Sequence, residues 1–369
     1  MHPKKLRVAI LCGGRSGEHE VSLRSARSIV DAIDRNRFEP TIIGIDKEGG
    51  WHLLESETFR ALTDISLPTL DQRGEPITLT PVPGGERWVT RGSAAGLEEI
   101  DVVFPVLHGT FGEDGCVQGL FELAEIPYVG AGVLGSAVGM DKDIQKRLLR
   151  GAGIPIVPFV TTSRHALERD RAGEIARIRE LGLPLFVKPA NLGSSVGVSK
   201  VSQWSDLEPA IRLAGEFDTK IIVERGIDAR ELECAVLGND EPRASIVGEI
   251  CANADFYSYA AKYVDEDGAT LLIPAPLSPE ESDRIRALAL RVFAELDCAG
   301  MARVDCFLER DSGALYVNEI NTLPGFTSIS MYPKLWQATG LSYPDLITRL
   351  IELAVERGHE RRSLRRSFD

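Results

Sequence analysis

The sequence predicts an α/β protein of more than one domain, on three observations. Near its start, apolar strands alternate with helices, the pattern of parallel βαβ units with loops at the carboxyl ends of the strands. Its 369 residues exceed what one ordinary core organises, so two or three domains are expected. From Met301 to Asn321 two further strands carry charges where a hairpin usually carries apolar side chains.

Leu6–Cys12 reads as a buried strand and Val21–Ile33 as a helix with apolar residues at helical spacing. Pro40–Ile45 and Asp101–Leu107 continue the sheet, and Val117–Ala124 is a short helix. Between Glu55 and Gly96 the pattern weakens among prolines and glycines, which reads as an irregular insertion or hairpin. Asp141 caps a helix running to about Arg150, broken by Gly151-Ala-Gly153-Ile-Pro155. The helix Ala172–Leu181 and the strands Leu185–Lys188 and Lys220–Glu224 form a smaller unit. Beyond it come strands Glu231–Leu237 and Ser245–Cys251, the helix Pro279–Leu296, the charged hairpin and a helix Tyr343–Arg357. The arginine-bearing tail Gly358–Asp369 reads as frayed or solvated rather than as a nucleic-acid arm.

Composition narrows the function. Apolar content of 43% with 26% charged residues is ordinary for a globular protein. A formal charge of −13 argues against nucleic acid as the main partner, although local cations can still hold an anionic substrate. No apolar run reaches the roughly 20 residues of a membrane span, and the N-terminus lacks a signal-peptide cleavage pattern. The six cysteines, at 12, 116, 234, 251, 298 and 306, include no Cys-x-x-Cys pair. They suggest buried thiols in a reducing compartment, hence the cytoplasm.

The hairpin is the most informative segment. With a three-residue loop Asp311-Ser312-Gly313, Asp305 faces Glu319 and Arg303 faces Asn321, all four on one side. Carboxylates roughly 5 Å apart across a ladder repel unless a cation lies between them, and oxygen donors on a rigid sheet suit Mg²⁺. A loop of two or four residues would shift the parity and destroy the cluster. The other face, with Val304, Cys306 and Leu308 against Val317 and Ile320, is apolar.

Glycine-bearing loops accompany it. Lys188-Pro-Ala-Asn-Leu-Gly193-Ser194-Ser195-Val-Gly197 lies between strands and lacks the P-loop spacing, yet can fold N–H groups and hydroxyls over phosphates. An ordinary glycine hairpin reads it equally well. Gly13-Gly14-Arg15-Ser16-Gly17-Glu18-His19-Glu20 joins the first strand to the first helix without a dinucleotide fingerprint. His108-Gly-Thr-Phe-Gly112-Glu-Asp-Gly115 ends a buried strand on the same sheet, where a histidine is commonly a hydrogen-bonded loop residue. Phe256 to Tyr263 is aromatic, set among acidic residues, and has no clean periodicity, as suits an ordered functional loop. Leu323 to Ser330, before Met331, is a turn whose N–H groups can meet an oxyanion.

Together these motifs resemble the D-alanine–D-alanine ligases of the ATP-grasp superfamily over essentially the whole chain. The resemblance is carried by Gly13-Gly14 through Leu23, His108-Gly109, Met140-Asp141-Lys142, Gly193 to Gly197, Lys262-Tyr263, Arg303-Val304-Asp305 and Asn318 to Thr327. It implies three α/β domains: an N-terminal parallel-sheet, Rossmann-like domain (1–140), a central ATP-grasp subdomain (141–226) and a C-terminal metal domain (227–369) with a lid loop at 255–268. It further implies ATP and two Mg²⁺ ions (Mn²⁺ as substitute), D-alanine as substrate, and a homodimer.

The same resemblance assigns roles. Lys142 and Lys188 match phosphate-binding lysines, Ser194 and Ser195 the loop over the phosphates, Glu224-Arg225-Gly226-Ile227 the adenine hinge, and Glu231 the ribose acceptor. Asp305, Glu319 and Asn321 match metal ligands, and Arg303 and the Gly325 N–H match oxyanion donors. Glu18 would hold the first D-alanine's ammonium near His108, with Lys262, Ser330 and Met331 near the second D-alanine. Beyond the resemblance, we expect the Tyr263 hydroxyl to bond to Ser194 and Glu18, tying the lid, the central loop and the first domain together. Ala260 stands where many family members carry Glu, which weakens one anchor of the lid. The alternatives are another carboxylate–amine ligase sharing the metal hairpin, and a nucleotide-binding regulator without turnover.

Overall fold

A computed structural model describes residues 4–65, 67–71, 73–81, 87–90, 99–252 and 269–365. The first sheet comprises β1 (Leu6–Gly13), β2 (Phe38–Ile45), β3 (Trp51–Leu54), β4 (Glu75–Leu79), β5 (Trp88–Thr90) and β6 (Val102–Pro105), in the order β5-β4-β3-β2-β1-β6. β1 runs parallel to β2 and β6, and the remaining pairs are antiparallel. The segment from Glu55 is thus more ordered than its composition implies: its described parts give a helix and two strands that extend the sheet. With it go α1 (His19–Ala32), α2 (Ser56–Thr63), α3 (Cys116–Leu123) and α4 (Val133–Met140).

After α4 comes α5 (Lys142–Gly151), whose N-cap Asp141 accepts from the Asp143 and Ile144 N–H groups. The second sheet is antiparallel: β7 (Phe159–Ser163), β8 (Leu185–Pro189), β9 (Ser199–Val201) and β10 (Lys220–Arg225), ordered β7-β10-β8-β9. Its helices are α6 (Arg164–Arg169), α7 (Arg171–Arg179) and α8 (Leu207–Phe217).

The third sheet, also antiparallel, holds β11 (Ala229–Gly238), β12 (Arg243–Ala252), β13 (Ala269–Leu272), β14 (Gly300–Glu309) and β15 (Leu315–Asn321), ordered β13-β12-β11-β14-β15. On its apolar face lies α9 (Pro279–Glu295), started by a capping box of Ser278 and Glu281. Ile285, Leu288, Ala289 and Val292 of that helix pack on Leu232, Val304 and Cys306, and Leu149 and Ile154 join the same cluster. The chain continues through α10 (Met331–Ala338) and α11 (Tyr343–Ser363).

One core joins the first and third sheets. Val8, Ile10 and Phe104 share a cluster with Phe326, Tyr332, Leu346 and Leu350, and Phe104 meets Phe326 edge-on at 5.6 Å. The tail also corrects an expectation, because α11 stays helical through Ser363. Arg357 donates to the carbonyls of Gly130 and Tyr128, 2.5 and 2.9 Å away, and Arg361 pairs with Glu122. Those contacts, invisible in the local sequence, offset the fraying of the last turns.

Candidate active site

The charged hairpin forms with the expected pairing by an unexpected route. Arg303 faces Asn321 and Asp305 faces Glu319, but closer to the turn Cys306 faces Val317 and Leu308 faces Leu315. The connection is therefore four residues, Arg310 to Gly313, with the Glu309 N–H donating to Ala314 O and Gly313 left-handed at φ 66°. The lost parity is restored by a β-bulge at Asn318. The expectation of a three-residue loop was wrong, yet the cluster survives. The apolar spacing from Val317 to Ile320, three residues rather than two, was the available signal.

On the polar face Arg303 grips Asp305 with two hydrogen bonds of 2.7 Å, and its Nε lies 3.0 Å from Glu233 Oε2. Burial opposes the guanidinium charge, but Asp305 and Glu233 outweigh it and raise its pKa. The Asn321 Oδ1 is buried without a hydrogen-bond partner. Two carboxylates and an unpartnered amide oxygen on one rigid face are hard donors that fit Mg²⁺. Among the described residues no cluster of three or more His, Cys, Asp or Glu could hold a metal; at the hairpin the amide would supply the third oxygen.

Facing the hairpin is a set of lysines. Lys142 Nζ donates to Leu192 O at 2.9 Å and lies 3.1 Å from Glu319 Oε2. One turn further along α5, fully buried Lys146 lies 3.2 Å from Glu224 Oε1, and Glu224 Oε2 lies 2.8 Å from Lys188 Nζ. Burial pulls the Lys146 pKa down. For Glu224, burial raises the pKa, but the two lysines outweigh it and hold it below the usual range. The Glu224 side chain is thus turned inward, so at this end of β10 adenine contacts would fall to the backbone of Arg225, Gly226 and Ile227. There the Gly226 N–H donates to Pro184 O at 2.7 Å.

The Gly193–Gly197 loop stands over this cleft, with Ser194 and Ser195 both at positive φ, 51° and 59°. Left-handed backbone costs a non-glycine residue roughly 1–2 kcal/mol, and such strain collects at functional loops. Ser194 Oγ donates to Glu18 Oε1 across the gap between the second and first units. Glu18 follows the turn at the end of β1, where Gly13 (φ 87°) is obligatory: a Cβ there would stand 2.2 Å from Ile45 O.

Beside Glu18 lies a buried network of another kind. His108 Nδ1–H donates to Leu323 O at 3.0 Å, and its Nε2 lies 3.4 Å from Ser25 Oγ. Burial lowers its pKa, so the ring is neutral. Glu113 accepts from the Gly109 and Leu323 N–H groups at 2.6 and 3.2 Å. Burial first, then the nearby Glu18, push its pKa up to about 8. Next along, Gly325 sits so that a Cβ would lie 3.3 Å from Ser330 Oγ, and that oxygen accepts from the Thr327 N–H at 3.1 Å.

Glu231 is exposed on the polar face of β11, two residues before Glu233. Met331 is buried in the core, its side chain against Gly248, rather than presented to the cleft. Lys262, Tyr263, Ala260 and the 255–268 loop lie outside the described residues. Three participants escaped the sequence reading: Lys146, Glu113 and Glu233. Lys146 follows Lys142 by four on a helix, hence on one face; Glu113 sits inside the His108 loop; Glu233 is two beyond Glu231 on a strand. Each signal was present but indistinguishable from an ordinary surface charge.

Residues 7–131 match the family of the D-ala D-ala ligase N-terminus, and residues 148–352 the family of the D-ala D-ala ligase C-terminus. The chain belongs to the D-alanine–D-alanine ligase family. D-alanine–D-alanine ligase A of Escherichia coli K12 is 53% identical over 96% of this chain and 97% of its own. The D-alanine–D-alanine ligase of Shouchella clausii is 53% identical, covering 97% and 96%. Among solved structures, the Coxiella burnetii D-alanine–D-alanine ligase aligns with TM-score 0.81 and 39% identity over 97% of this chain and 96% of that one. The VanG D-Ala:D-Ser ligase of Enterococcus faecalis aligns at 0.84 and 37% over 95% and 100%. The three-sheet α/β architecture is that of this ATP-grasp family.

Proposed function

We propose that this chain joins two D-alanines into D-alanyl-D-alanine, a peptidoglycan precursor, in an ADP-forming reaction through an acyl phosphate. One observation carries the reading. The lysine cleft, the oxygen-donor hairpin and the Glu18 loop converge through the Lys142–Glu319 and Ser194–Glu18 contacts. A carboxylate is a poor electrophile, so the first D-alanine's carboxylate attacks the ATP γ-phosphate and ADP leaves. The second D-alanine's free amine attacks the resulting carbonyl, and phosphate leaves the tetrahedral adduct.

Glu18 would hold the first ammonium, with neutral His108 beside it adding no competing cation. Lys142, Lys188 and the Ser194–Ser195 backbone would bind phosphates, the hinge adenine, and Glu231 the ribose. Arg303 and the Gly325 N–H would receive the oxyanion, with Ser330, Met331, Lys262 and Tyr263 near the second D-alanine. Asp305, Glu319 and Asn321 would hold Mg²⁺, which supplies neutralisation of phosphate charge. Positioning does the rest of the work. A homodimer, two metal ions, Mn²⁺ substitution, a cytoplasmic site of action and the three domain boundaries at 140 and 226 belong to the same proposal. Among the described residues no helix is long and apolar enough to cross a membrane.

Purified protein with ATP, Mg²⁺ and D-alanine should release phosphate and form the dipeptide. Phosphate release without dipeptide, or only with another acceptor, would favour a different carboxylate–amine ligase. No turnover at all would favour a nucleotide-binding regulator.

A further inference from the structure

We infer that Lys146 is a positioning residue whose ammonium holds the Asn318 bulge and so keeps Glu319 and Asn321 facing the nucleotide cleft. This rests on the reading of Asp305, Glu319 and Asn321 as metal ligands.

A bulge residue is left out of strand pairing, so its backbone groups need partners elsewhere. The Asn318 carbonyl finds one in Lys146, whose Nζ donates to it at 2.9 Å. The neighbouring Val317 N–H donates to Pro155 O at 2.8 Å, just beyond the end of α5. The helix and the segment after it therefore grip β15 at two successive residues, on the edge that β14 does not occupy. If the bulge closed while the four-residue turn stayed, pairing would shift by one and turn Glu319 toward the apolar face. Lys146 is fully buried, and besides this neutral carbonyl it pairs with the Glu224 carboxylate, which also pairs with Lys188. One cation thus sets the hairpin's register and completes the charge balance of the lysine cleft. Lys142, a turn earlier, contacts the carboxylate that this register presents.

The test compares the full-length protein with Lys146→Met and Glu224→Gln by two readouts. Hydrogen–deuterium exchange follows the amides of 317–321, and electron paramagnetic resonance follows Mn²⁺ binding in the presence of ADP. Lys146→Met should speed exchange in 317–321 and weaken Mn²⁺ binding, each by about tenfold or more, the scale of one lost charge-assisted hydrogen bond. Glu224→Gln leaves the carbonyl contact in place and should leave exchange in 317–321 unchanged. Exchange and Mn²⁺ affinity within twofold of wild type in folded Lys146→Met would overturn the inference, as would equal exchange in both variants. Should Lys146→Met fail to fold, Lys146→Arg decides: it keeps a cationic donor for the Asn318 carbonyl, a single-donor contact rather than a two-pronged one, so both readouts should stay within about threefold. A tenfold loss in either, at an unaltered melting temperature, would overturn the inference. A wild-type protein that binds no Mn²⁺ would count against the metal reading alone, and the exchange readout would still judge Lys146.

Discussion

The two ends of the cleft are built by opposite means. At the hairpin end, Lys142, Lys146, Lys188 and Arg303 are matched by Glu224, Glu233, Asp305 and Glu319. At the Glu18 end, burial lowers the His108 pKa and raises that of Glu113 to about 8, and both side chains are fixed by bonds to the backbone of 109 and 323. A buried ion pair tolerates exchange of one partner for a ligand of the same charge, but poorly tolerates losing it. A hydrogen-bonded network of this kind instead fixes geometry, and the proposed function has Glu18, beside it, hold the first D-alanine's ammonium. The hairpin end is a set of ion pairs that, under the proposed function, would give way to phosphate and metal; the other end is fixed by bonds to the backbone.

The strongest way to break that contrast is Glu319→Gln. Turnover should fall by at least about 10²–10³-fold, the scale of losing one preorganised electrostatic group, while the melting temperature stays close to wild type. Near-wild-type dipeptide formation at saturating Mg²⁺ would sink the metal assignment. Arg303→Lys comes next: one ammonium cannot reproduce the two-pronged grip on Asp305, and kcat should drop about a hundredfold. A change confined to the KM for ATP would count against the oxyanion role.

Glu113→Gln sharpens the other side through pH. The folded protein keeps the Glu113 proton between the ordinary value of 4.5 and about 8, whereas the unfolded chain releases it. Rising pH therefore favours unfolding across that window. The wild-type melting temperature should lose ground to Glu113→Gln from pH 4.5 to 8, and parallel curves would refute the buried protonated carboxyl. The smallest effect belongs to Gly313→Ala, where a Cβ meets nothing within 4 Å. Only the backbone at φ 66° resists, at about 1 kcal/mol, with kinetics unchanged. A loss of activity there would mean that the turn, rather than the bulge, controls the hairpin.

The alternation of strands and helices, the Asp141 cap and the charged face of 303–321 were legible because each follows a short period along the chain. The turn length was fainter: Asp311-Ser312-Gly313 fits a three-residue loop locally, and only the three-residue apolar spacing from Val317 to Ile320 pointed to the bulge at Asn318 that makes the turn four. Likewise the last turns of α11 looked frayed because their partners, Gly130, Tyr128 and Glu122, lie more than 220 residues away.

By itself, then, the sequence determined which side chains share a face, except where the Asn318 bulge resets the alternation, since periods of 2 and 3.6 act within a few residues. It also placed the Glu18, His108 and Ser194 loops at strand ends. Only the tertiary structure decided which charges neutralise which. Lys146 reaches Asn318 and Glu224, and Ser194 reaches Glu18, across separations that no local pattern encodes. Electrostatic partners are chosen by distance in space and by burial, and both exist only once the three sheets have packed.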